Sequence, residues 1–457
     1  MLKKGGKMGT KISEFFEHIE PSCIRKADIV FSQRQSQNPT ENIKAINVAI
    51  GNVSLPTHPA MLKRFLNPKD ENLIKGTWRY TQAEGIDEIN DAFKNIIRSF
   101  LKPECKPNLY SLVDTGGSHI MRLVMLGVCG KSSSGEKPLL VLDPVYTNYV
   151  SIGGELGVNV ISVNRNLMPD GVFSEVSIDY LENLIEMYKP GGMLIIPYDN
   201  PSGTLTTQKQ INEYAKICMK HNMFLISDEA YRGLYYVDGI DYAPSIWNIS
   251  EQDVKGIESA GIRISIETLS KVFNACGLRM GALVTDNKLF FEQARAANTT
   301  YLCPSAIDQY IGGALAHESM SDLQNWVKTL REYYKKILKN LYTNFKKLDP
   351  NIIVTQPQAS IYSIVDVRNI VKPGFDMDDF VMYCANDGFV EVSGQKLTLL
   401  VAPARGFYKN QNIYANTQAR IACVVSESEM ELVPYLFVEL IRQYEQKRLM
   451  GLKASNL

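Results

Sequence analysis

Histidine is scarce in this 457-residue chain, five in all, and no two stand in an HxxxH or HxH spacing. The eight cysteines, Cys23, Cys105, Cys129, Cys218, Cys276, Cys303, Cys384 and Cys423, form no CxxC pair. Zinc or iron chemistry therefore has little to build on, and no metal site is expected. Most of the cysteines sit in apolar surroundings, the pattern of reduced thiols in a core. Neither sign of charge is in excess, since Lys plus Arg and Asp plus Glu both total 49. No net field draws the chain to nucleic acid or to an anionic membrane. No apolar run reaches the roughly 18 residues that a spanning helix needs. The opening MLKKGGKMGTKISEFFEH lacks the apolar stretch of a secretory signal. These absences lead to the expectation of a cytoplasmic protein.

What is present is an ordinary globular balance, 45% apolar and 21% charged, in a chain longer than a single hydrophobic core usually serves. Through the middle, short apolar runs alternate with amphipathic stretches. The clearest are LLVLD at Leu139 to Asp143, MLIIPY at Met193 to Tyr198, FLISD at Phe224 to Asp228 and ALVT at Ala282 to Thr285. This alternation predicts an α/β unit with a mostly parallel sheet, whose ligands collect outside the carboxyl ends of the strands. From about Ser321 the texture changes. Asp322 to Leu348 is predicted to form one long helix, followed by the strand-like runs IIVTQPQASIYSIVDV and KLTLLVAPARGFY and a terminal helix near Glu429 to Arg448. The expected organisation is an N-terminal arm contributing to a smaller unit (1–50), a large central domain (51–320) and a small α+β domain (321–457). The segment SIWNISEQDVKGIESAGIRI is long and is expected to hold a loop peculiar to this chain.

Several turns in the central region carry polar residues suited to a phosphorylated aromatic ligand. Gly116, Gly117 and Ser118 stand between a short strand and an amphipathic helix, where free backbone N–H groups and the helix dipole favour an anion. A glycine turn with a serine cap reads equally well there. The nearby GVCGKS is no phosphate loop, because Met125 stands where its first glycine is required. NPSG, Asn200 to Gly203, is a good turn whatever it does. Asp228 ends an apolar strand, where a carboxylate needs a cap or a cationic partner. Lys271 lies in ETLSKVFNACGLRMGALVT, with Arg279 eight residues on and the hydroxyls of Thr268 and Ser270 beside it. One loop thus supplies an amine, a phosphate-pairing guanidinium and two hydroxyls.

Taken in order, IGNVSLPTHP, YTQAEG, TGGS, DPVYTNY, NPSG, SDEAY, SK with its following arginine, and RIA resemble the motifs of the class I/II aminotransferases. These are pyridoxal-phosphate enzymes of fold type I. The resemblance runs from about Asn47 to Val425 and is nearest to the aspartate aminotransferase group, through TGGSHI, LSKVFNACGLRMGAL, VAPARGFY and ARIACVV.

The resemblance implies a seven-stranded, mostly parallel sheet in the large domain and pyridoxal 5'-phosphate held as a Schiff base on Lys271. It implies that Lys271 also moves a proton at the substrate's Cα, that Asp228 balances the ring nitrogen, and that Asn200 and Tyr231 bond the ring's phenolic oxygen. Tyr146 takes the place of a ring that stacks on the cofactor. Gly117, Ser118, Thr268, Ser270 and Arg279 fall at the phosphate, together with Tyr80, whose counterpart reaches the active site of a neighbouring subunit. A homodimer is therefore implied. Arg420 and the backbone of Gly51 fall at the substrate's α-carboxylate. The implied reaction exchanges amino groups between an L-amino acid, aspartate before aromatic or methionine-type donors, and a 2-oxo acid such as 2-oxoglutarate.

One departure stands out. Where some aspartate enzymes carry a partner-subunit arginine for the distal carboxylate, ARAANTTYLCPSA puts Asn298, leaving Arg122 and Arg405 as alternatives. Two other readings compete: a β-lyase on the same scaffold, because bond choice depends on substrate orientation, and a non-catalytic ligand sensor. The sensor requires a fused basic DNA-binding domain, and the roughly 45 residues before the resemblance are too few.

Overall fold

The computed structural model describes residues 10–17, 23–76, 78–132, 135–410 and 412–455. Its centre is a seven-stranded sheet in the spatial order 110–115, 280–285, 263–268, 224–228, 192–195, 139–143, 160–164. All neighbouring strands are parallel except Met280–Thr285, which is antiparallel to both of its neighbours. LLVLD and MGALVT are buried at every position. Helices cover both faces, which is why these strands read as continuous apolar runs without alternation.

The predicted Met193 to Tyr198 strand is shorter, Gly192–Ile195. Pro197 has no N–H to continue the ladder, and Tyr198 makes only an isolated bridge with Leu205. The long helix spans Met320–Leu348, its first turn closed by the Ser319 side chain, which accepts from the Asp322 amide. The terminal helix, Glu427–Ser455, is longer than expected and runs through Pro434.

Two smaller sheets lie outside the central one. A four-stranded antiparallel sheet joins Ala402–Pro403, Gln418–Ala422, Tyr362–Asp366 and Ile353–Val354. In a three-stranded sheet Ile43–Asn47, from near the start of the chain, runs parallel to Gln395–Leu400, with Val390–Val392 on the far side.

In the segment SIWNISEQDVKGIESAGIRI, Glu251, Gln252 and Asp253 are exposed while Ile246, Trp247 and Asn248 are buried. Trp247 is fully buried and donates from Nε1 to Ser265 Oγ at 2.9 Å, with the Arg263 guanidinium 5.3 Å from its ring. The turn Ile246–Asn248 therefore packs against the strand Arg263–Thr268, and Ile257 of the turn Ile257–Ala260 is buried in the core.

Candidate active site

Five strand ends converge on one edge of the central sheet. Asp228 is the last residue of Phe224–Asp228, and Thr268 the last of Arg263–Thr268, with Ser270 and Lys271 in the turn beyond. Gly117 and Ser118 follow Tyr110–Thr115, Tyr146 follows Leu139–Asp143, and Asn200 follows Gly192–Ile195. Arg279 precedes Met280–Thr285, and because that strand is reversed its beginning lies at the same edge. The antiparallel strand is thus what brings Arg279 to the others.

These residues line a single cleft of about 1080 Å³, to which the outer sheets add Gly51, Tyr362 and Arg420. Tyr80, placed at the phosphate by the resemblance, does not line it and stands exposed. Lys271 donates from Nζ to the Gly51 carbonyl at 2.6 Å. Asp228 accepts from the Tyr149 hydroxyl, and from the Ala230 amide at 3.0 Å. Burial pushes the Asp228 carboxyl above the usual carboxylate range, and the Tyr149 hydrogen bond opposes that only in part. A carboxylate in this position gains from any cation brought into the cleft.

Across the sheet edge, the 14-residue helix Gly116–Cys129 begins with no acidic residue in its first turn and no side-chain cap from Thr115. Its leading N–H groups face the cleft beside Arg279, which donates to the Cys276 carbonyl at 2.8 Å. Gly116 has φ +75°, and a Cβ there would stand 2.6 Å from Arg279 Nη2. Thr268 Oγ1 lies 2.8 Å from Ser270 Oγ, and Asn148 Nδ2 lies 3.2 Å from Ser118 Oγ. Helix end, guanidinium and hydroxyls together form a cradle for a polyanion such as a phosphate.

On the opposite wall Arg420 is buried and donates to Asn200 Oδ1 at 2.9 Å and to the Ala49 carbonyl at 2.5 Å. Among the described residues its Nε has no hydrogen-bond partner. Its guanidinium stands 4.5 Å from the Tyr362 ring and 4.8 Å from the Phe407 ring, a cation–π setting that fixes its plane. The Tyr231 and Tyr362 hydroxyls are 2.7 Å apart, and burial raises the Tyr231 phenol well above its ordinary range. The Asn200 turn is held from behind by Asp199, which accepts from Arg165 at 2.6 Å and from Ser202 Oγ at 2.7 Å.

Sequence reasoning passed over Tyr149 and Tyr362. Tyr149 lies in the quoted DPVYTNY, in the first turn of the helix Thr147–Leu156 that Tyr146 precedes, and the two rings stand 5.5 Å apart. Tyr362 gave no motif signal, because its place depends on pairing with the distant Ala422. The alternatives for a distal carboxylate lie elsewhere. Arg122 donates to Glu155 at 3.0 Å and to the Tyr301 hydroxyl at 2.7 Å, Arg405 pairs with Asp376 and Asp378, and neither lines the cleft. Asn298 is buried and donates to the Ala83 carbonyl at 2.9 Å.

The sheet order with its one reversed strand, and the cleft at the strand ends, define an α/β enzyme with the architecture of fold type I transferases. Residues 43–432 match the family Aminotransferase class I and II, and the chain belongs to that family. It is an aminotransferase, in a family that uses pyridoxal phosphate. It is similar to an aspartate aminotransferase of Sulfolobus acidocaldarius, 25% identical over 80% of this chain and 85% of that one. It is also similar to aromatic-amino-acid aminotransferase 2 of Thermococcus litoralis, 24% identical over 78% and 84%. Among solved structures, the aspartate aminotransferase from Thermus thermophilus with maleate superposes with a TM-score of 0.72 at 16% identity, covering 94% of this chain and all of that one. Alanine aminotransferase from Pyrococcus furiosus gives 0.72 at 20% identity, covering 95% and all of that chain. At those identities the likeness establishes the fold.

Proposed function

We propose that the protein transfers the amino group of an L-amino acid, aspartate first and aromatic or methionine-type donors next, to a 2-oxo acid such as 2-oxoglutarate, with pyridoxal 5'-phosphate in the Lys271 cleft. One observation carries this reading: an amine, a water-stripped carboxylate and an uncapped helix end beside a guanidinium face one cavity. That donor set fits the cofactor's aldehyde, ring nitrogen and phosphate. The similarity to aspartate and aromatic aminotransferases supports the choice of donors.

When bound, the cofactor supplies an electron-poor ring that withdraws charge from the substrate's Cα. Lys271 contributes a primary amine, first as anchor for the aldehyde and then as carrier of the Cα proton. Asp228, aimed by Tyr149, holds the proton on the ring nitrogen. The amides of Gly117 and Ser118, the hydroxyls of Thr268 and Ser270, and Arg279 bind the phosphate, while Tyr146 stacks on the ring. Asn200 and Tyr231 bond the phenolic oxygen. Arg420 grips the α-carboxylate with the help of the Gly51 backbone, and the unpartnered Nε gives it donor capacity to spare.

The same reading takes residues 1–50, 51–320 and 321–457 as arm, cofactor domain and small domain, with the cleft where they meet. It includes a cytoplasmic homodimer in which Tyr80 completes the phosphate site of the neighbouring subunit. Phe65, Leu66, Ile74, Trp78 and Tyr80 are all exposed, an apolar stretch suited to burial against a second copy.

The test is a panel of amino acids added to the purified, cofactor-loaded protein, followed by absorbance. Donors should convert the yellow form to the pyridoxamine form and leave 2-oxo acids. Release of ammonia and pyruvate would instead mark a lyase. Lys271→Ala should lose both the conversion and the cofactor trapped by borohydride.

A further inference from the structure

Among the described residues, four cationic side chains line the cleft: Arg25, Lys271, Arg279 and Arg420. The proposed function, on which this inference rests, uses three of them. Arg25 is left over, and among the described residues no hydrogen bond, ion pair or ring contact engages its guanidinium.

Its position is fixed by the helix Cys23–Gln37. Arg25 is itself exposed where it lines the cleft, while Ala27, two residues on, is buried in the core. Asp28, three residues after Arg25 and so on the same face, also lines the cleft. It accepts from Asn47 Nδ2 at 2.9 Å. Asn47 Oδ1 in turn accepts from the Ala49 amide at 3.1 Å, and Ala49 supplies the carbonyl that holds Arg420. At the other end of the helix the buried Arg34 bonds Glu41 and the carbonyls of Asp387 and Gly388. The helix is thus tied through Asp28 and Arg34, and Asp28 reaches the α-carboxylate arginine through one short chain of hydrogen bonds.

We infer that Arg25 is the specificity residue that pairs with the distal carboxylate of a dicarboxylic amino acid or 2-oxo acid held by Arg420 at its other end. The charges in the cleft favour this. Among the described residues its two carboxylates are Asp28, engaged by Asn47, and Asp228, set at the ring end. A second substrate carboxylate therefore meets one uncommitted cation, whose planar fork suits bidentate pairing. The two residues weighed from the sequence for this task, Arg122 and Arg405, serve other contacts.

The experiment compares kcat/KM for glutamate and aspartate with kcat/KM for alanine and phenylalanine in the holoenzyme and in Arg25→Ala and Arg25→Lys. It is paired with binding of glutarate, which reports the dicarboxylate site without turnover. Loss of a charge-assisted pair is expected to lower the ratio of dicarboxylic to monocarboxylic efficiency by about tenfold or more in Arg25→Ala. Glutarate should weaken by a similar factor, and Arg25→Lys should recover part of each. An unchanged ratio with unchanged glutarate affinity overturns the assignment, as does an equal fall for both substrate classes. A wild-type enzyme that converts no amino acid refutes the proposed function instead, and the glutarate arm still decides the fate of Arg25.

Discussion

At the scale of single residues, the cleft depends on groups that touch one another with little room to spare. A Cβ on Gly51 would stand 2.2 Å from the Tyr362 hydroxyl, yet Gly51 also offers its carbonyl to Lys271. Gly51→Ala must therefore push Tyr362 away from Tyr231 or shift the carbonyl under the lysine. The expected result is a fall in kcat/KM of about tenfold or more, with a melting temperature within a few degrees of wild type, because one local contact and not the core is disturbed. Steady-state rates beside a thermal melt check this. A parent-like rate would mean that the contact yields without consequence. Tyr362→Phe removes the partner of the buried Tyr231 hydroxyl and should cost about 1–3 kcal/mol of stability in a urea titration, the penalty of an unsatisfied buried donor.

At the scale of elements, buried charge ties the Asp228 turn to the next strand. Arg232 pairs with Glu229 at 2.9 Å and with Glu267 of Arg263–Thr268 at 2.5 Å, all three buried. Burial pushes the Glu229 carboxyl above its usual range, and the Arg232 guanidinium opposes that. Arg232→Met strands two carboxylates and should cost about 3–5 kcal/mol. Adding Glu229→Gln and Glu267→Gln should recover much of that loss, and a triple variant no more stable than the single one would count against the charge account. A second element-level effect concerns pH. His58 caps the helix Pro59–Leu66, its Nδ1 accepting from the Ala60 amide at 3.3 Å while its ring packs 4.7 Å from Trp326. Burial holds its pKa down from 6.5 to about 4. Between those values the unfolded chain binds the proton and the folded one does not. Stability therefore rises with pH across this window and is lost as pH falls through it, by up to about 3 kcal/mol. His58→Asn keeps a capping oxygen and cannot titrate. Its stability should decline less between pH 6.5 and 4, and parallel curves for the two proteins would dismiss the effect.

At the scale of the whole molecule, the proposed dimer makes each active site the product of two chains. Tyr80→Ala should weaken cofactor binding, and Lys271→Ala should abolish turnover. In a mixed dimer of the two variants, one site inherits both defects. The other has an intact lysine and receives the partner's intact tyrosine. Mixing the two variants under conditions that exchange subunits should therefore restore activity above either parent. Strict additivity of the two weak activities would argue that Tyr80 serves its own chain or none. Light scattering should give twice the 51.3 kDa of the single chain.

The sequence by itself determined the central strands, the long helix and the residues at the strand ends, because each is set by local pattern. Apolar runs buried on both faces, glycine turns before helices and the spacing from Lys271 to Arg279 survive translation into three dimensions. Tertiary structure alone decided what local pattern does not encode. The reversed Met280–Thr285 strand brings Arg279 to the same edge as Asp228. The pairing of Tyr362–Asp366 with Gln418–Ala422 sets Tyr362 against Arg420. The folding back of the N-terminal helix puts Arg25 into the cleft and leaves Arg122 and Arg405 among their own carboxylates. Each of these joins residues far apart in the chain, and only the burial of shared apolar faces selects which distant partners meet.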